Sequence, residues 1–126
     1  MNSIIKTIVL TLAIGVLGAM LIVPSDASAE TMTWKVKSNY KYKVQVALYS
    51  QTRRHEWPGS GEAYDVNDFA DHDYSINCNN GEKICLGAWA TGNSSKYWGV
   101  GFQDRYGCKG CCYVCGGGPL PRQVLN

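Results

Sequence analysis

Apolar and polar residues alternate along much of the chain after residue 30. Between Tyr40 and Tyr49, Tyr42, Val44, Val46 and Leu48 fall on one parity, and Lys41, Lys43 and Gln45 on the other. That period of two marks a half-buried strand. A shorter alternating run surrounds Trp34–Lys37. Others cover Ala63–Val66, His72–Cys78, Ile84–Ala90 and Lys96–Phe102. WPGSG at 57–61 breaks the pattern, and NNG at 79–81, TGN at 91–93 and RYG at 105–107 supply turn residues between the runs. Apolar residues nowhere keep helical spacing over three turns. The pattern predicts an all-β fold, a small antiparallel β-sandwich or barrel-like domain. CNNGEKIC at 78–85 predicts a tight hairpin, because Asn-Gly supplies the positive φ angles that such a turn requires. The tail from about residue 116, GGGPLPRQVLN, is expected to be irregular, with Gln123–Leu125 available as a last edge strand.

The N-terminus follows a different logic. Lys6 precedes an apolar run from Ile8 to Val23, then Pro24 and the small-residue pattern Ala27-Ser28-Ala29. This is the layout of a secretory signal peptide spanning 1–29, cleaved after Ala29. The run falls short of the ~20 apolar residues of a spanning helix. Residues 30–126 then form a single small β domain that is secreted or periplasmic, with no membrane span after cleavage. The formal charge of +2 implies neither a nucleic-acid surface nor a funnel for acidic substrates. Lys35, Lys37, Lys41 and Lys43 share one parity and read as the solvent face of strands.

Export changes the meaning of the six cysteines, Cys78, Cys85, Cys108, Cys111, Cys112 and Cys115. CKGCCYVC superficially doubles a zinc knuckle, but its halves abut, and one metal cannot easily collect all four thiolates. A thiol-redox site calls for a C-x-x-C at a helix N-terminus, whereas glycines flank this motif. An even number of cysteines in a small exported domain is expected to form disulfides. A Cys111–Cys112 bond would close a strained ring, so these two are expected to take different partners. Cys78 and Cys85 either bridge across their own hairpin or each reach the cluster; both arrangements remain open.

Candidate chemistry elsewhere is sparse. Asp65, Asn67, Asp68, Asp71 and Asp73 make an acidic stretch without EF-hand spacing, which reads as a solvated turn rather than a calcium site. His55 and His72 each have a carboxylate nearby in sequence, yet no serine or cysteine sits in a nucleophile motif. No catalytic residue, cofactor or metal is therefore assigned. Four tryptophans and eight tyrosines against two phenylalanines suit a wet recognition surface. Trp89 and Trp98 read as core, with Gly87, Gly99 and Gly101 allowing close approach. Trp57, beside a proline, is expected to be exposed, and Arg53, Arg54, Trp57 and Tyr64 are the candidate binding residues.

WPGSGEAY, CNNGEKICLGAW and YWGVGFQDRYGCKGCCYVCGGG together resemble a set of short exported bacterial proteins of unassigned function, over Trp57–Gly118. The resemblance implies no activity or site. The expected role is a non-catalytic binding, interaction or structural module on a disulfide-held scaffold, its partner a glycan or protein of the cell envelope. The alternative is a small metal-binding or thiol-redox protein using the Cys108–Cys115 cluster.

Overall fold

Met32, Trp34 and Val36 are apolar at every second position, and the strand that carries them is longer than the alternation alone suggested. A computed structural model describes residues 28–126, in which β1 runs Ala29–Ser38. The other strands are β2 (Val44–Ser50), β3 (Glu56–Trp57), β4 (Tyr64–Val66), β5 (Asp71–Asn79), β6 (Lys83–Ala90), β7 (Asn93–Gly99), β8 (Cys112–Val114) and β9 (Gln123–Leu125). No α-helix occurs among the described residues, and none is long and apolar enough to cross a membrane. The signal-peptide segment lies almost wholly outside the described residues.

The strands form two sheets that do not close into a barrel. The small sheet has the order β5-β1-β9, and the large sheet has β3-β2-β6-β7, with β4 also on β2 and β8 also on β6. Pairing is antiparallel except for β1 with β9. In the small sheet, Lys37 lies opposite Asp71, Lys35 opposite Asp73 and Thr33 opposite Ser75, whose hydroxyls are 2.9 Å apart. Opposite charges and paired hydroxyls each favour this register by roughly 0.2–1 kcal/mol, and a one-residue slip would turn Trp34 out to water.

The core explains where alternation holds and where it fails. Met32, Trp34, Val36, Ile76 and Leu125 of the small sheet pack against Val44, Val46, Leu48, Ile84 and Leu86 of the large one. Burying each such side chain contributes about 1.5–3 kcal/mol. A second cluster covers the opposite face of the large sheet, where Ala47, Tyr49, Cys85 and Trp89 meet Val100 and Cys111. Strands β2 and β6 are therefore buried on both faces, which is why VALYS and ICLGAWA are apolar without alternation.

Several expectations are corrected. β5 and β6 belong to different sheets, so CNNGEKIC makes a tight turn between layers and not a β-hairpin. A tight turn does form, with Glu82 N–H donating to the Asn79 carbonyl at 2.9 Å, but only Gly81, at φ 88°, and not Asn80 takes the positive φ that was expected of the pair. Tyr42 is 62% exposed, because β2 starts at Val44 and the preceding residues form a bend. The last long run is strand over Asn93–Gly99, and Phe102–Asp104 is a single 3-10 turn. Trp98, on edge strand β7, is only half-buried. β9 does form an edge strand and buries Leu125.

All six cysteines are paired, as Cys78–Cys115, Cys85–Cys112 and Cys108–Cys111. Cys78 and Cys85 each reach the cluster rather than bridging one another. Cys85 and Cys112 stand directly opposite in the β6–β8 ladder. Cys78–Cys115 ties the small sheet to the chain leaving β8. The C-x-x-C half of the motif closes only on itself.

Candidate functional site

Glycine and loop chemistry between β2 and β4 set the site's upper wall. Arg53 and His55 lie on the bend after β2, and β3 then pairs Trp57 with Leu48 and Glu56 with Tyr49. That pairing carries Trp57 into the core at 8% exposure, which corrects the expectation of an exposed indole. His55 stands edge-on to the indole with centroids 4.6 Å apart, and the Arg53 guanidinium lies 5.7 Å from its centre. Tyr64, on β4, is half-buried and stacks on Tyr74 of β5 at 4.1 Å.

The lower wall is the edge of the small sheet. Between the two edges runs a cleft of about 570 Å³, lined by Arg53, His55, Trp57, Pro58 and Tyr64 from the large sheet and its loops and by Ser75 through Asn79, with Ala29 of β1, from the small sheet. Three of the four candidate residues thus converge. Arg54 does not: it lines a neighbouring depression of about 570 Å³ on the other side of the Pro58 loop, sharing only His55 and Pro58 with the cleft.

A buried carboxylate anchors one end. Glu82 Oε2 accepts from Arg53 Nε at 2.6 Å and from the Ser50 hydroxyl at 2.5 Å; Oε1 accepts from Arg53 Nη2 at 3.1 Å and the Asn79 N–H at 2.9 Å. Burial alone would raise its pKa, but Arg53, the Asn79 amide and Ser50 outweigh that effect and hold the carboxyl at about 2. At the Tyr64–Tyr74 end, burial above all, with Asp68, Tyr64 and Asp65 nearby, pushes the Tyr74 phenol up to about 12.

The cleft offers guanidinium, imidazole, hydroxyl, amide and aromatic groups, a set suited to hydrogen bonding and ring contact. His72 lies outside it, with Nε2 2.6 Å from Asp68 Oδ1; this contact, with the Ala70 N–H, holds the Asp68 carboxyl below its ordinary range. Asp68 and Asp71 are engaged by His72, the Ala70 amide and Arg122. The sulfurs of Cys85, Cys111 and Cys112 lie within 4.8 Å of one another, but each is already in a disulfide. A second aromatic group, Tyr40 with Trp98 at 5.2 Å beneath Lys96, lies at the β7 edge of the other sheet.

Ser75, Asn77 and Glu82 escaped the sequence reading. Alternation in DHDYSINCN reveals a strand but not that it is an edge, and Glu82 looks like an ordinary turn carboxylate until Arg53 is brought over it. Comparison with protein families, curated proteins and solved structures finds no match for the chain.

Proposed function

We propose that the chain is an exported binding module, and that the cleft between β3–β4 and β5 is its ligand site, taking a glycan or protein of the cell envelope. One observation supports this most. Arg53, His55 and Tyr64 meet Ser75–Asn79 across a single open cleft, although they come from separate strands and loops. The disulfides and the Glu82 cluster hold both walls, so little ordering entropy is lost on binding. The test is amide chemical-shift mapping of the labelled protein with fractionated envelope extract. Shifts clustered at His55, Tyr64 and Ser75–Asn79, and lost in Tyr64→Ala, are expected. Shifts confined to the β7 edge, or none at all, would overturn the assignment.

A second reading, thiol exchange at Cys108–Cys111, draws support from the Cys108 and Cys111 sulfurs, each 3.8 Å from Cys112 Sγ. A dithiol of the envelope would reduce the bridge to two thiols and itself become a disulfide. Catalysed reduction of a disulfide substrate, lost in Cys108→Ser, would favour this reading over the first.

A further inference from the structure

Backbone parity along β5 shows what the lower wall of the cleft presents. Asn80 N–H donates to the Ser28 carbonyl at 2.8 Å, so in the antiparallel β1–β5 register the even-numbered residues of β5 bond to β1. Asn79 faces the other way. Its N–H donates to Glu82 Oε1 and its carbonyl accepts from the Glu82 N–H, each at 2.9 Å. By alternation, the N–H and C=O groups of Ser75 and Asn77 also point away from β1, toward the cleft, and have no partner among the described residues. β5 is the terminal strand of its sheet there. An unpaired strand edge is a template for another extended backbone.

The free stretch has definite ends. Toward Asp71, the Tyr64–Tyr74 stack joins the two sheets; toward Asn79, the Glu82–Arg53 pair does. Between them the edge spans Ser75 to Asn77, two outward-facing residues about 7 Å apart at the usual antiparallel rise of ~3.4 Å per residue. Trp57 and Pro58 line the same cleft as this edge, which encloses about 570 Å³. Arg53, already paired with Glu82, is the one charged side chain among the described lining residues, and Arg53 and His55 bring N–H donors to that end of the cleft.

We infer that the cleft takes an extended peptide segment of a partner protein, added as a strand to the free edge of β5 at Ser75 and Asn77. This rests on the cleft being the ligand site and names the ligand's class. Main-chain hydrogen bonds to Ser75 and Asn77 supply affinity, and side-chain parity supplies selection. Side chains on the parity facing Ile76, Trp57 and Pro58 meet apolar groups and should be apolar. A side chain that accepts hydrogen bonds belongs at the end beside Arg53 and His55.

The test uses protein produced from the full sequence and positional-scanning pools of hexapeptides with acetylated and amidated ends. Binding should be strongest for pools with a hydrogen-bond-accepting side chain near one end and apolar residues at alternate positions. In the bound state, the amide protons of Ser75 and Asn77 should exchange at least tenfold more slowly. N-methylation at alternate backbone positions of the best peptide should weaken binding about tenfold or more, corresponding to ~1.4 kcal/mol, and methylation at the intervening positions should have little effect. Binding without amide protection, or without that alternation, overturns the inference. So does the same protection appearing with protein concentration alone, which would make a second copy the occupant. If no pool binds while envelope extract still perturbs the cleft, only the peptide inference fails. If neither perturbs it, the binding site itself is wrong.

Discussion

Replacing Glu82 with glutamine isolates the electrostatic anchor that joins the turn after β5 to the loop bearing Arg53. The wild-type carboxyl is 1% exposed and accepts four hydrogen bonds, from Arg53 (two), Ser50 and Asn79. Its pKa is about 2 in the fold against an ordinary 4.5. At ~1.36 kcal/mol per pKa unit, that gap corresponds to about 3 kcal/mol of stability. A depressed folded pKa means that the contribution is fully present above pH 4.5 and is lost as the pH falls through the folded value, near 2. Glu82→Gln cannot ionise, so it should lack this contribution at pH 7 and should not lose it again in acid. The assay is guanidinium unfolding with disulfides intact at intervals between pH 7 and pH 2. The stability gap between the two proteins should start at about 3 kcal/mol and close progressively below pH 4.5. Curves that stay parallel down to pH 2 would refute the claim that a buried, charged Glu82 holds this corner of the fold.

The three bridges should differ in weight. Closing the loop between Cys78 and Cys115, a separation of 37 residues, is worth about 4 kcal/mol, against about 2 for the separation of 3 between Cys108 and Cys111. Cys108→Ser with Cys111→Ser should therefore fold with a modest drop in Tm, and Cys78→Ala with Cys115→Ala should show about twice the loss. Limited reduction followed by alkylation and mass mapping should label the Cys108–Cys111 pair before Cys78 and Cys115, because Cys108 is partly exposed whereas both cysteines of the other bridge are buried. Gly99→Ala should cost at least about 2 kcal/mol in thermal unfolding, because Gly99 has φ 61° and an added Cβ would collide with the Leu86 carbonyl. In alkaline titration at 295 nm, Tyr74 should ionise only near pH 12. A raised phenol pKa stabilises the fold fully below pH 10, and that contribution should disappear as the pH rises from 10 to 12.

Much of the fold was legible because alternation reports burial directly. Met32, Trp34 and Val36, and likewise Ile76 and Cys78, sit on one parity and face one core. The oxidised cysteines were legible too, from an even count in a small chain with an export-like N-terminus. Trp57 was misjudged because a tryptophan beside a proline looks like a loop residue, and only the pairing of β3 with Leu48 draws it inward. CNNGEKIC was misjudged as a hairpin for a related reason. A tight turn is a local property of Asn-Gly, but whether the strands it joins then pair with each other depends on which other strands compete for their edges.

The amino-acid order alone therefore determined the longer strands, the positions of the turns and most of the residues that seek the interior, since these follow from short-range periodicity and backbone preference. Pairing was decided in three dimensions. It put β5 at the end of the small sheet, gave both faces of β2 and β6 to apolar cover, and sent Cys78 to Cys115. The cleft exists only because two sheet edges from distant parts of the chain stop short of each other. Strand edges, like disulfide partners, are set by competition among all the strands at once, and no local window of sequence contains that competition.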